Sequence, residues 1–524
     1  MSRLSKAFPA RTLPVPDARN HEGYPAYSPT DEEAVAELLF LGTFGHTYYA
    51  SDQEWSESTT AAIRKAVIQD PLFVAKASLL ARQEGFVRSA PLVALVSLLS
   101  EGPRAKIVGE KIFSRIIRTG DDLRNFVGLT QSGQFRQGFG GIARRLAAQW
   151  LNEELTEYQA IKYAGSGDRL SLRNILRLAH PHPDNPTQNA IFQWLVRGTL
   201  DNSVPLPMIE ALERLEQGRI DPATAIEEGQ LPFEAVMPRI ARGDTLVWKA
   251  LLKHAPYMFL LRSLNAFDRA GVWKDDRLVA MAAARIKDPG RVAKAMQFPF
   301  RYYQAAQVLE WTQTSPRLIA AVYDALELSL SNLPDLGAIR LAIAPDVSGS
   351  MADTAIAGHT TAADMAGLFT AALWKRYPDA AVLPFGTAVL PTRGVRVRDS
   401  LMTIAQTIGR LRGGGTDLAA PIEWLQAKNQ ALDLFIGLTD SEDWGAGYGW
   451  RREGFLAAWS KYRQTVAPAA QAVLIQLVPS GTRVSPASEP SVHYVYGWSD
   501  SVLRYVAYVA QGRTMAARIR STEI

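Results

Sequence analysis

The stretch Leu341-Ala342-Ile343-Ala344-Pro345-Asp346-Val347-Ser348-Gly349-Ser350-Met351 decides the fold. Its first five residues are an apolar run that reads as a buried strand. Three oxygen-bearing side chains, Asp346, Ser348 and Ser350, follow at alternate positions. In an extended or turning segment that spacing points all three the same way. One carboxylate and two hydroxyls make a hard-oxygen cluster suited to Mg²⁺ or Mn²⁺. Gly349 lets the loop bend sharply without a Cβ clash. Pro345 is discordant, because it removes an N–H at the end of what should be a central strand, so the strand is expected to stop a residue early.

Two later stretches complete the pattern. Gly413-Gly414-Gly415-Thr416-Asp417 offers a hydroxyl on a glycine-rich loop, and Leu434-Phe435-Ile436-Gly437-Leu438-Thr439-Asp440 is a second apolar strand ending in a carboxylate. At the carboxyl ends of strands in an open α/β sheet such groups converge on one crevice. Asp346, Ser348, Ser350, Thr416 and Asp440 are therefore the candidate metal ligands.

Outward from this loop, strand and helix patterns alternate from residue 335 to the end. Strands are expected at 341–345, 380–384, 434–438, 472–479 and 492–496. Helices are expected at 362–375, 400–411, 418–427, 454–462 and 501–510. Such alternation implies a doubly wound parallel sheet. Residues 472–478 carry no polar alternation and read as a strand buried on both faces. Upstream the character differs. Residues 1–30 are polar and proline-rich, an extended arm. From Thr30-Asp31-Glu32-Glu33, a cap followed by acids, short helices succeed one another to about residue 334, separated by Gly, Pro or Asp. Many short helices with short connections suggest an α-solenoid of degenerate HEAT-type repeats. The expected domains are thus 1–30, 31–334 and 335–524.

Composition narrows the function. The 524 residues are 47% apolar and 21% charged, values of a globular protein. No apolar run reaches membrane-spanning length, and the N-terminus has no apolar signal core. The absence of cysteine excludes disulfides and thiolate chemistry and fits a reducing cytoplasm. The net charge of +5 is mild, so a nucleic-acid surface has to be local. There is no Walker A, HExxH or G-x-S-x-G pattern. Glu442 and Asp443 read as a polar rim to the metal loop rather than as an acid–base pair. Hydroxyls dominate the site, which favours ligand capture over water activation, so no enzyme is expected.

The triplet of motifs, D-x-S-x-S, a Thr and a T-D, resembles the metal-ion-dependent adhesion site of von Willebrand factor A domains. That resemblance implies metal bound directly by Ser and Thr hydroxyls, with one position open to a partner's carboxylate. The helical half resembles the TROVE module of the Ro autoantigen family. The segments that carry it are Phe40-Leu41-Gly42-Thr43-Phe44-Gly45-His46-Thr47-Tyr48-Tyr49, Leu176-Arg177-Leu178-Ala179-His180-Pro181-His182-Pro183, and Val247-Trp248-Lys249-Ala250-Leu251-Leu252 with Leu260-Leu261-Arg262-Ser263-Leu264-Asn265. Gly141, Arg144, Arg145 and Trp150 also fit the pattern. The resemblance implies a monomeric ring of helical repeats shut by the A domain. Its hole would take single-stranded 3′ ends of misfolded or unprocessed RNA, and its outer surface Y-like small RNA. A 3′-to-5′ exonuclease is the implied partner in degradation or ribosomal RNA maturation.

Residues that could touch RNA come from both arguments. Phosphate contacts need Arg or Lys. Lys111, Arg115 and Arg118 follow i, i+4, i+7 spacing on a helix expected at 104–118, either a phosphate-binding face or an ordinary solvated one. Arg136, Arg144 and Arg145 flank Gly138, Gly140 and Gly141, where backbone could approach phosphate or simply turn into a helix. By resemblance, Lys162 and His180 match the family's RNA-contacting lysine and histidine. Arg169 is the only base in the loop where the family carries several. Lys249, Arg262 and Arg269 are further candidates for the lining of the hole. Where relatives have R-I-H-P-F, this chain has Met296-Gln297-Phe298-Pro299-Phe300, without the histidine. A competing reading is a metal-dependent protein-interaction scaffold with no RNA role; a metal-dependent nuclease is a third.

Overall fold

The computed structural model describes residues 14–20, 23–41, 52–135, 139–164, 170–200, 204–239, 244–357, 360–392, 394–440, 443, 454–478, 482–497 and 500–524. Its contacts divide the chain into two units. One takes in Leu333–Ala517 with the N-terminal segment up to Glu37; the other takes in residues 52–332 with Arg518–Ile524. The expected boundaries differ from this at both ends, because the N-terminal arm is a structured part of the C-terminal unit. Strand β1 (Ala18–Arg19) pairs antiparallel with β2 (Pro25–Ala26). Tyr27 then exchanges both backbone hydrogen bonds with Arg483, at 2.9 and 3.0 Å.

The helical unit is built from short helices with strong local start signals. Asp70, Thr156, Ser171, Asn185, Asp221, Asp244, Asp275 and Asp288 each cap a following helix through the side chain. Proline opens many of them, where its missing N–H costs nothing. Sequential helices pack on one another, Pro71–Gln83 against Ser89–Ser100 and Pro103–Ile116, and Pro299–Trp311 against Pro316–Leu328. A buried ion cluster locks one junction. Asp122, 4% exposed, accepts from Arg82 at 2.7 Å and from Arg88 at 2.9 Å, while Arg82 also donates to the Ile116 carbonyl.

The C-terminal unit is a five-stranded sheet whose strand pairs are all parallel. In chain order come β3 (Leu341–Pro345), the small antiparallel pair β4 (Ala355–Ala357) and β5 (Thr360–Thr361), β6 (Ala381–Val382), β7 (Leu434–Thr439), β8 (Gln471–Gln476) and β9 (Val492–Tyr496). The sheet order is β6-β3-β7-β8-β9. Phe435, Leu418, Ile422, Phe455, Trp459 and Tyr462 form the core on one face. The alternate residues Ile343, Ile436, Val473 and Ile475, all fully buried, point to the other. β3 and β7 lie side by side, yet the chain leaves β3 toward β6 and leaves β7 toward β8. The crevice of a doubly wound sheet opens at such a reversal.

Two expectations are corrected here. β3 does not stop early, since Pro345 remains in the strand opposite Leu438. Residues 343 and 345 turn their backbone groups toward β6, with Leu383 donating to the Ile343 carbonyl at 2.9 Å and Phe385 to the Pro345 carbonyl at 3.0 Å. The missing N–H is therefore lost from the β3–β6 ladder and not from β3–β7. That is why β6 shrinks from the expected 380–384 to two residues.

Candidate metal centre and basic helical faces

The ends of β3 and β7 place the two carboxylates. The Asp346 amide donates to the Leu438 carbonyl at 2.8 Å, which sets Asp346 beside Thr439. Thr439 Oγ1 donates to Asp346 Oδ2 at 2.8 Å, and the Ser348 amide donates to Asp346 Oδ1 at 2.9 Å. Ser348 and Ser350 bring their hydroxyls within 3.2 Å of each other. The glycine loop is laced to this turn. Gly349 donates to the Gly414 carbonyl at 3.0 Å and Gly413 to the Val347 carbonyl at 2.8 Å. The lacing requires bare backbone, because a Cβ on Gly386 would lie 2.2 Å from the Gly413 carbonyl oxygen. The loop thereby carries Thr416, 2% exposed, to the same end of the sheet as Asp346 at 0%, Ser348 at 1% and Asp440 at 3%. Ser350 alone of the five is exposed.

Electrostatics mark the pocket as suited to a cation. Burial, and then the neighbouring charge of Asp440, push the Asp346 carboxyl up to about 8, against the pull of the Ser348 and Thr439 hydrogen bonds. Two buried carboxylates on one small volume are unfavourable without a positive charge between them. No cluster of three His, Cys, Asp or Glu occurs among the described residues. A hydroxyl-rich set with two acids fits a hard divalent ion such as Mg²⁺ and excludes a thiolate site.

Asp443 does something the sequence did not suggest. Its Oδ1 accepts from the Leu418 amide at 3.2 Å and its Oδ2 from Phe455 at 3.5 Å, while its carbonyl takes Asn20 from the arm at 3.4 Å. It braces the loops behind the site. Glu442 lies outside the described residues.

In the helical unit, the Pro103–Ile116 helix ends before Arg118, so the expected face over 104–118 is broken. Ile117 turns extended, and Thr119 with Asp122 forms the capping box of the next helix. Lys111 is exposed. Arg115 donates to the Glu523 carbonyl at 2.9 Å, so it holds the C-terminal segment. Arg144 is exposed, whereas Arg145 pairs with Glu110 at 2.5 Å. Arg136 and Arg169 lie outside the described residues. Lys162 lines a cleft of about 790 Å³ with Tyr158, Phe233 and Phe259. Its ammonium lies 3.5 Å from Glu234 and over the rings of Tyr158 and Tyr163. Burial works against its charge, yet Glu234 and Tyr158 hold its pKa above the usual lysine range. His180 ends its helix in the left-handed conformation, φ 50° and ψ 54°, with its ring exposed.

Residues 340–508 match the family described as Ro60 vWA domain, and residues 236–320 match the TROVE domain. The two regions are thus similar to the TROVE and Ro60 von Willebrand A families. A relative from Deinococcus radiodurans, named RNA-binding protein RO60, is 28% identical over 450 residues, 81% of this chain and 83% of the relative. The crystal structure of the D. radiodurans RO (RSR) protein has the same fold, with a TM-score of 0.73 over 93% of this chain and 100% of that one at 24% identity.

Local spacing is enough to single out Asp346, Ser348, Thr416 and Asp440, which the structure brings to one end of the sheet. Thr439 stands outside the expected ligand set, yet as the first residue of the T-D pair it donates to Asp346. The brace at Asp443 depends on contacts from three distant segments and has no local signature.

Proposed function

We propose that this chain is a non-enzymatic RNA-binding protein of the Ro type, acting in RNA quality control. The observation that carries the reading is the similarity over 450 residues to a protein named as RNA-binding. The finer parts of the proposal are those expected from the sequence. Single-stranded 3′ ends of misfolded or unprocessed RNA are held in the hole of a ring, and Y-like small RNA binds outside it. A 3′-to-5′ exonuclease, working in the same cytoplasm, is the partner. Lys162 and His180 are proposed contacts for the structured RNA, with Lys111 and Arg144 as additional exposed cations.

The metal centre has a separate proposed role. Ser348, Ser350 and Thr416 would hold a Mg²⁺ ion, with Asp346 and Asp440 supplying its counter-charge. When bound, the ion supplies a Lewis-acid position for a carboxylate of a protein partner. The chain's own residues fix that position by lacing the glycine loop to the turn after β3.

Binding of RNAs with a single-stranded 3′ tail, compared with blunt duplexes across a salt series, tests the reading. Tailed RNA should bind more tightly, and affinity should fall steeply with salt. Equal affinity for blunt duplex and tailed RNA would remove the proposed specificity.

A further inference from the structure

We propose that Arg410 and Arg412 form a second anion-binding anchor beside the metal loop, so that the partner recognised there is an acidic protein segment with two carboxylates a few residues apart, one for the ion and one for the arginines. This rests on the reading that the centre holds Mg²⁺ and captures a carboxylate, and it adds the class of partner. The two arginines stand where the Leu401–Gly409 helix runs into the glycine loop, and both are exposed. Among the described residues, neither forms an ion pair. Elsewhere in this unit Arg340 is engaged by Asp433 and Arg463 by Glu489. Asp353, the exposed acid that follows Ser350, pairs with neither Arg410 nor Arg412.

Two sets of contacts tie the arginines to the metal turn. Along the chain, Arg412 precedes Gly413, whose amide donates to the Val347 carbonyl at 2.8 Å and whose carbonyl accepts from Thr387 at 3.1 Å. Thr416 lies four residues past Arg412, a span of at most about 14 Å even for extended chain. Through space, the Ser350 carbonyl accepts from Thr354 at 3.0 Å and the Thr354 carbonyl from Ala362 at 2.9 Å. The next residue, Ala363, meets the end of the arginine helix, since a Cβ on Gly409 would lie 3.1 Å from its carbonyl oxygen. Arg396 and Arg398 are also exposed, but they precede the start of that helix, where Lys375 Nζ donates to the Asp399 carbonyl at 2.8 Å. The pair at the metal loop is therefore a local feature of the helix end.

Arg412 is preset for a carboxylate. Its Nη1 donates to the Gly409 carbonyl at 2.9 Å and to the Leu411 carbonyl at 2.7 Å, backbone acceptors at the helix end. These bonds fix the guanidinium and leave Nε and Nη2 as a fork for a bidentate acid. The approach is bare. Gly349 and Gly414 are both exposed. A Cβ on Gly349 would meet only the Gly414 carbonyl oxygen, at 4.0 Å, and one on Gly414 only Thr387, at 3.8 Å. The backbone of an incoming segment therefore has room between Ser350 and Arg412, and the missing side chains keep that room clear. A lone carboxylate on the ion would leave the arginines idle, so charge complementarity calls for a second acid. Nucleic acid fits less well, because residues 347–354 and 410–417 include no aromatic side chain on which a base would stack.

The test uses the full chain and two fluorescein-labelled probes, hexaglutamate and a glycine–serine hexapeptide with one central glutamate. Fluorescence anisotropy is read with Mg²⁺ and with EDTA, beside the rise in melting temperature that Mg²⁺ produces. In Mg²⁺ the parent should bind hexaglutamate roughly tenfold more tightly than the single-glutamate probe, and EDTA should abolish the binding. Arg410→Gln/Arg412→Gln should lose that preference while keeping the parent's melting response to Mg²⁺, and Arg410→Lys/Arg412→Lys should keep only part of it. Equal hexaglutamate affinity in the parent and the glutamine pair overturns the anchor and leaves the metal reading standing, as does a Mg²⁺-stabilised parent that does not bind hexaglutamate. No melting response to Mg²⁺ in the parent, with peptide binding indifferent to EDTA, overturns both readings. A glutamine pair that loses affinity for single-stranded RNA but not for hexaglutamate assigns the arginines to nucleic acid and overturns the anchor.

Discussion

His493 sits on β9 with its Nε2 3.0 Å from Gln471 Oε1, and burial pushes its imidazole down to about 4 although Glu33 pulls the other way. The unfolded chain titrates this group near its ordinary 6.5. Folding therefore favours neutral His493, and its contribution is complete above about pH 6.5 and lost as pH falls through 4. The window is worth at most ~3 kcal/mol. His493→Gln should flatten the dependence of melting temperature on pH between 4 and 6.5, and an unaltered profile would assign the dependence elsewhere. At the other charged centre, Asp346→Asn removes one of two crowded carboxyls. Without metal the variant should be at least as stable as the parent at neutral pH. A Mg²⁺ concentration near 100 times the dissociation constant should stabilise the parent by ~2.7 kcal/mol and the variant hardly at all. An equal Mg²⁺ response in both would remove Asp346 from the site. Asp346, Ser348 and Ser350 were legible because their chemistry is local, packed into five residues. Arg115 was not, because its partner carbonyl lies 408 residues away and no helical spacing encodes it.

Among the elements, the turn after β3 and the glycine loop act as one piece. Gly386→Ala would set a Cβ 2.2 Å from the Gly413 carbonyl oxygen, so that carbonyl has to move. The variant should lose roughly 1–3 kcal/mol of stability and much of its Mg²⁺ response, although Gly386 offers no side chain to a metal. Retained stability and metal response would show that the loop tolerates displacement. Asp443→Ala leaves the buried Leu418 and Phe455 amides without their acceptor, at a cost of roughly 1–3 kcal/mol in denaturant unfolding. The start of the Asp31–Leu41 helix is readable because Thr30 stands before three acids, and its hydroxyl accepts from the Glu33 amide at 3.2 Å. The end of the Pro103–Ile116 helix was misread because basic spacing continued to Arg118 while the competing signal, the Thr119–Asp122 capping box, lay just beyond. β6 was read too long because its length is set by the missing N–H of Pro345, a residue on another strand.

In the whole molecule, neither unit is a contiguous piece of sequence. The C-terminal unit takes its arm from before Glu37, and the helical unit takes Arg518–Ile524, which Glu84, Lys76 and Arg115 hold through Arg518, the Arg520 carbonyl and the Glu523 carbonyl. A fragment of residues 333–517 should therefore melt lower than the same fragment co-expressed with residues 14–37, and equal melting would make the arm dispensable. The pairing also has a consequence in time. Asn20 and Asp443 are 423 residues apart, so at 5–20 residues per second the ribosome delivers the second roughly 20–85 s after the first. For that interval the nascent β1–β2 hairpin has nothing to dock on, although it was the first part of its unit to be made. The C-terminal unit can close only once Asp443 has been made, and a ribosome that stalls within the helical repeats releases a chain whose leading segment has no partner.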